Sequence, residues 1–410
     1  MFFHLFNKRT TAVFLLAFSS GLPIALTSST LQAWYTVSNV DIHTIGLLTL
    51  VGFPYLYKFL WSPLLDKFTP FKILGKRRSW VLIMQICLVG ALFVMAWMHP
   101  SAHPFALAAV AMTVAFFSAT QDMGIDAYRT DVLLTQERGI GATFNTMGYR
   151  VALIFSGGIA MILASKIGWQ FTYCLMALLL AIEIIVTLFS PRPEKEIEKT
   201  FAWKEVIVGP VKEFLSRKYA VVILIFIIFY KFSDALALSL NTTFLLHGMG
   251  FTLLQVGSIS KLVGVIAALF GSLIGGLALV KMRLWKALFY FGTLQVISCL
   301  MFMWLAMDGK SIALMTAAIF AENFCGGLST VAFVAFLMGL CDKQFTATQF
   351  ALFSAAASVG RIVLGPLAAV MVVSYGWAEF YFMTFILGWP ALFLLYWLKN
   401  KIDFSAEKIV

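Results

Sequence analysis

The chain is written as long apolar runs separated by short polar breaks. Stretches of about 17–25 apolar residues are long enough to cross a hydrocarbon core about 30 Å thick. Twelve such runs follow one another, at 11–37, 43–64, 79–98, 103–128, 139–164, 169–190, 219–246, 252–280, 286–306, 311–340, 345–372 and 377–398. The pattern predicts an all-α membrane protein of twelve transmembrane helices. The first run follows the basic flank MFFHLFNKRT. It is longer than the apolar core of a signal peptide and lacks a clear small-residue cleavage site, so it reads as a retained span.

One long polar segment interrupts the series, PRPEKEIEKTFAWKEVIVGPVKEFLSRK from Pro191 to Lys218. It predicts a six-helix bundle at 1–190, a linker at 191–218, a second six-helix bundle at 219–398 and a tail at 399–410. Phe201, Val206, Phe214 and Leu215 among Lys and Glu fit an amphipathic helix on the membrane surface, interrupted near Pro210; a plain solvated linker is the other reading. The halves also resemble each other. IGWQFTY at Ile167–Tyr173 returns as YGWAEFY at Tyr375–Tyr381, Arg150 returns as Arg361, and the stretch ending in Gly46 returns in the one ending in Gly257. The offsets are 208, 211 and 211 residues, which points to a duplicated, pseudo-symmetric six-span unit.

Composition changes little of this: 61% of residues are hydrophobic and 12% charged. The net charge of +11 raises nucleic acid as a partner, and the placement of the 30 basic residues removes it. In a twelve-span chain, 23 of them fall on the side that carries both termini and two on the other. That asymmetry is the positive-inside signature, so both termini are expected in the cytoplasm. The five cysteines lie in or at the ends of apolar runs without C-x-x-C spacing, as small core residues do. The histidines are scattered, and neither H-E-x-x-H, a Walker loop nor G-x-S-x-G occurs. No enzyme, metal or cofactor is expected, which leaves an ion gradient or exchange to drive any transport.

The remaining charges lie inside the runs. Asp122, Asp126 and Arg129 fall at i, i+4 and i+7 of one helix, in ATQDMGIDAYRTDVLLTQERGIGATFNTMGYR from Ala119 to Arg150. At about 1.5 Å per residue, Arg150, Lys231 and Glu322 lie roughly 16–18 Å into their spans, near the bilayer midplane. With Lys58, Asp122, Asp234, Lys261 and Arg361 they make eight ionisable side chains. Facing lipid they would cost roughly 20–28 kcal/mol in total, so they line a cavity, pair, or do both. Five cations and three carboxylates favour an anionic substrate with exchangeable protons. Lys231 and Asp234 at i, i+3 also suit a structural pair, and Glu183 a helix-packing hydrogen bond. Asp122 is the first candidate for proton coupling and Glu322 the second. Lys58, Arg150, Lys231, Lys261 and Arg361 are candidates for substrate contact, with Gln121 and Asp234 beside them. In span one, Gln32 and Trp34 follow a Gly-, Pro- and Ser-rich stretch and could meet a sugar by hydrogen bonding and stacking; membrane-interface anchoring is the ordinary role of such a Trp.

The loop SPLLDKFTPFKILGKRRSW at Ser62–Trp80 resembles the G-x-x-x-D-(R/K)-x-G-(R/K)-(R/K) signature of the major facilitator superfamily. Ser62 replaces the first Gly, and several residues are inserted before Gly75. The resemblance implies a cytoplasmic gate at Asp66, Arg77 and Arg78, joined by Asp126 and Arg129. More specifically, SSGLPIALTSSTLQAWYT (Ser19–Thr36), IGLLTLVGFPYLYKFLWSPLLDKFTP (Ile45–Pro70), SATQDMGIDAYRTDVL (Ser118–Leu133), GYRVALIFSGG (Gly148–Gly158) and GWQFTY (Gly168–Tyr173) resemble the AmpG-type muropeptide permeases. The C-terminal half resembles them more loosely, and longer members carry further helices. This resemblance implies proton-driven import of anhydro-muropeptides by alternating access across the Gram-negative inner membrane, by a monomer among membrane lipid. Another anionic solute on the same scaffold (acyl-CoA, sugar-phosphate or drug) is the alternative, because fold does not fix substrate.

Overall fold

A computed structural model describes residues 7–134, 137–192, 203–341 and 346–402. Among them no strand forms, as expected where lipid offers backbone groups no hydrogen-bond partner and each span must satisfy its own. Ten helices are long and apolar enough to cross a membrane. One of these, Thr143–Phe189, is two spans divided at Gly168, where φ is 81°. The second span is the short, broken run that begins at Ile42–Tyr57 and continues to Lys67. The total is the twelve spans that the apolar pattern predicts.

Contacts divide the chain into two compact units. The first comprises residues 1–41, 50–200 and 252–261, and the second 42–49, 201–251 and 262–410. In the first, span one (Lys8–Val37) packs along span five with little side chain between them. A Cβ on Gly21 would lie 2.8 Å from the Tyr149 carbonyl oxygen, and one on Gly148 would collide with that of Phe14. Small residues are what allow such backbone approach where lipid removes the hydrophobic incentive to pack. The second unit is centred on Phe226, Phe336, Phe353 and Leu395, all buried.

In the segment joining spans six and seven, a helix runs over Trp203–Ser216 within the second unit and passes through Pro210 without ending there, so the expected interruption is absent. Its end is held in the second unit. Phe214 is buried edge-on against Phe353 at 4.8 Å, and Glu213 accepts hydrogen bonds from Arg217 and Gln349. The Arg217 guanidinium holds the Glu213 carboxyl below the usual glutamate range. Residues 193–202 of the linker and 403–410 of the tail lie outside the described residues.

Several spans are not continuous α-helices. Span one breaks at Thr27–Ser28, span two includes a 3-10 turn at Leu48–Gly52, and span five a π turn at Ile154–Ile159. Span seven is interrupted at Lys231 and Leu240, span eight by a π turn at Ile259–Val263, and span eleven at Leu364. Interrupted helices inside a membrane bundle free backbone groups at mid-depth, which is tolerated where the gap faces protein or a water-filled cavity.

Candidate functional site

In the first unit the polar side chains of spans one, three and four meet. Ser19 Oγ accepts from Gln121 Nε2 at 2.8 Å and from Gln85 Nε2 at 3.0 Å. The Gln85 amide oxygen in turn accepts from Thr187 at 2.7 Å. All four are buried. One residue along span one, Ser20 donates to Asp122 Oδ1 at 2.5 Å. Asp122 is half-buried. Gly21, the next residue, sits against the Tyr149 carbonyl and so brings Arg150 beside this part of span one. Arg150 is half-buried, and among the described residues nothing hydrogen-bonds or pairs with its guanidinium. A charge inside a span with no protein partner among the described residues is costly.

Elsewhere in the unit, Gln32 is buried, and Trp34 is 4% exposed, stacked at 5.7 Å on Trp169 and against Tyr173. The Trp34 ring is therefore in contact with protein. At the basic end, Arg77 pairs with Asp131 at 3.2 Å. Arg78 is buried and donates to the Leu74 and Ser190 carbonyls, and so fixes the end of span six. Asp126 and Arg129 pair with each other at 3.2 Å along their own helix, Asp126 being exposed. The side chains of Asp66 and Lys261 lie outside the described residues.

The second unit carries its own polar centre. Lys231, at the break in span seven, donates to Thr330 Oγ1 at 3.1 Å and lies 3.9 Å from Asp234 Oδ2. Asp234 accepts from Gln295 Nε2 at 3.1 Å, and Glu322, also buried, accepts from Asn323 at 2.8 Å. Arg361 is exposed. Charge spacing alone did not single out Gln85, Gln295, Asn323 or Thr330. A usable signal was present, since Gln85 and Gln295 are single amides within otherwise apolar runs, and such groups in a membrane helix bond to a neighbouring helix.

Two six-span bundles of repeated sequence, each with ionisable side chains at mid-depth on broken helices, define the architecture of a secondary transporter. The chain belongs to the Major Facilitator Superfamily, whose family profile matches residues 13–352, and within it to the AmpG-type permeases. It is 44% identical over 400 residues to the anhydromuropeptide permease of Escherichia coli K12, covering 97% of this chain and 81% of that protein. It is 31% identical to the putative transporter AmpG 4 of Rickettsia felis, covering 97% and 98%. Solved structures of the nucleoside transporter NupG and a D-xylose-proton symporter share the fold, with TM-scores of 0.74 and 0.71 at 13% identity in both cases. NupG covers 96% of this chain and 99% of its own, the symporter 94% and 96%.

Proposed function

We propose that this chain imports anhydro-muropeptides by proton-coupled alternating access, in the inner membrane of a Gram-negative cell, as a monomer with both termini in the cytoplasm. The substrate class comes from the Escherichia coli relative's name. Arg150 is the observation that carries it to the residues. An anhydro-muropeptide offers carboxylates from its peptide and hydroxyls and an acetamido group from its sugars. A half-buried guanidinium without a protein partner among the described residues is suited to the first, as a planar fork that binds carboxylate through two parallel hydrogen bonds. Lys58, Lys231, Lys261 and Arg361 extend the basic path, and Gln32, Gln121 and Asp234 supply polar contacts. Trp34 serves by holding span one against span six.

Asp122 is the proton carrier. Ser20 donates to its carboxylate, and protonation lets span four reorient without carrying a bare charge through low dielectric. Glu322 is the second proton site. Asp66, Arg77, Arg78, Asp126 and Arg129 belong to the cytoplasmic gate. The chain carries out no bond-breaking chemistry on its cargo and needs no cofactor.

Labelled anhydro-muropeptide uptake into proteoliposomes, with and without an imposed pH gradient, tests this. Asp122→Asn is expected to abolish gradient-driven uptake while leaving counterflow intact. Full uptake by that variant with the wild-type pH profile would remove Asp122 from the mechanism. Failure of the wild type to bind anhydro-muropeptide while transporting a sugar-phosphate or acyl-CoA would remove the substrate.

A further inference from the structure

At the basic end of the second unit, four lysines and four aromatic rings from spans seven, nine and twelve converge. Lys218 and Lys401 lie 5.4 and 5.5 Å from the centre of the Tyr219 ring. Lys286 and Lys399 lie 5.9 and 5.6 Å from that of Trp285. Lys399 also covers Tyr396 at 3.5 Å, and Lys401 covers Trp397 at 3.3 Å. Tyr219 and Trp397 pack edge to face at 5.7 Å. The four ammoniums thus form two pairs, each about one ring, and the pairs are joined through residues 399 and 401 of one helix end.

Three features separate this cluster from an ordinary basic loop. First, among the described residues no carboxylate pairs with any of the four lysines, although Glu213 is only five residues before Lys218 and is taken by Arg217. Second, each ammonium lies over one or two ring faces, which supply attraction but no lone pair, and among the described residues none of the four donates a hydrogen bond to an acceptor. Third, Tyr219 has φ 70° and ψ 14°, a left-handed backbone uncommon for an aromatic residue and characteristic of positions held for a purpose. Tyr396 and Trp397 are exposed on the apolar surface of span twelve, where acyl chains lie.

We infer that this cluster is a binding site for an anionic phospholipid, with the phosphates seated among Lys218, Lys286, Lys399 and Lys401 and the acyl chains running along Tyr396 and Trp397. Two ammonium pairs suit a headgroup with two phosphates better than one with a single phosphate. Interfacial rings fix the depth of the helix ends at headgroup level, and basic pockets between helices at that level select anionic headgroups over zwitterionic ones. The site lies apart from the polar centre of Lys231, Asp234 and Glu322, so its occupancy is separable from substrate binding.

Native mass spectrometry of the purified full chain, titrated with diphosphatidylglycerol, phosphatidylglycerol or phosphatidylethanolamine, is the test. The expected order of retention is the order just given. K286Q/K399Q/K401Q should lose the preference, by about fivefold in apparent affinity per lysine, and the three corresponding Lys→Arg changes should keep it. Glycerol phosphate without acyl chains should neither bind at these concentrations nor displace the lipid. Should the triple variant not be recovered, the single variants carry the same expectation at about fivefold each. Equal retention of the three lipids by the wild type, an unchanged preference in the glutamine variants, or displacement by glycerol phosphate would overturn the assignment.

Discussion

Replacing Arg150 with methionine separates the two roles open to a cation at mid-depth, because they predict opposite effects. A structural cation is held by a carboxylate, and removing it strands that partner at about 3–5 kcal/mol. Arg150 has no such partner among the described residues, so Arg150→Met strands nothing and removes a poorly solvated charge. The melting midpoint should hold or rise. Transport should respond in the other direction. A hydrogen bond to a charged group contributes about 1.5–3 kcal/mol, so losing the contact to a substrate carboxylate should raise KM by about 10- to 150-fold. Arg150→Lys keeps the charge but loses the fork, and should fall between. The assay is the initial rate of labelled anhydro-muropeptide uptake over a range of concentrations, with the melting of the same preparation in detergent. A midpoint several degrees lower at an unchanged KM would show that Arg150 holds the bundle together, and the substrate reading of the first unit would fail with it.

In the second unit the expectation reverses. Lys231→Met removes one member of a buried pair, so melting should report a loss toward the lower end of about 3–5 kcal/mol, given the 3.9 Å separation, and adding Asp234→Leu should recover most of it; a single variant as stable as wild type would make Lys231 a free cation like Arg150. The linker helix should be pH-sensitive. The Arg217 hydrogen bond depresses the Glu213 carboxyl, so the stabilisation is complete above the ordinary glutamate range and is lost as pH falls through the lowered value. Hydrogen exchange at the end of that helix should therefore speed up in acid and lose this dependence in Glu213→Gln, with unchanged acid sensitivity in the variant counting against the contact.

Span number and type were readable because the bilayer imposes a length and a polarity on every crossing, and only span two escaped simple recognition as a long helix. Its run Ile42–Lys67 holds Gly46, Gly52, Pro54 and Pro63, which keep the structure in short helical pieces. Pro210 misled in the other direction, since a proline near the middle of an exposed amphipathic segment reads as a stop, yet this helix continues to Ser216. At the site, Asp122, Arg150, Lys231, Asp234 and Glu322 were legible as charges in the wrong solvent. Their partners were not. Ser20 and Thr330 are small hydroxyl residues of a kind common throughout the runs, and nothing in spacing says which will face a carboxylate or an ammonium. The asymmetry between Arg150, which has no partner among the described residues, and Lys231, which is bonded, also arises only from packing.

The duplication gives the charge arrangement a further meaning. Backbone distortions recur at corresponding places: Gly168 and Gly376 both take positive φ, the 3-10 turn at Leu48–Gly52 matches the π turn at Ile259–Val263, and the π turn beginning at Ile154 matches the break at Leu364. The local sequences differ, LTLVG against ISKLV in one case, so the repeated unit and not the local residues demands the distortion. The side chains have not been kept in the same way. Ser20 and Asp122 of the first half correspond, 211 residues on, to Lys231 and Phe333. The first pair is a hydroxyl on a carboxylate, and the second an ammonium 6.0 Å from a ring centre. Gln85 bonds Ser19 in one half while Gln295, 210 residues later, bonds Asp234 in the other. One contact geometry thus presents an acid in the first bundle and a base in the second. At these positions the equivalent residues have diverged, a hydroxyl on a carboxylate in one half and an ammonium over a ring in the other, while the backbone distortions recur in both.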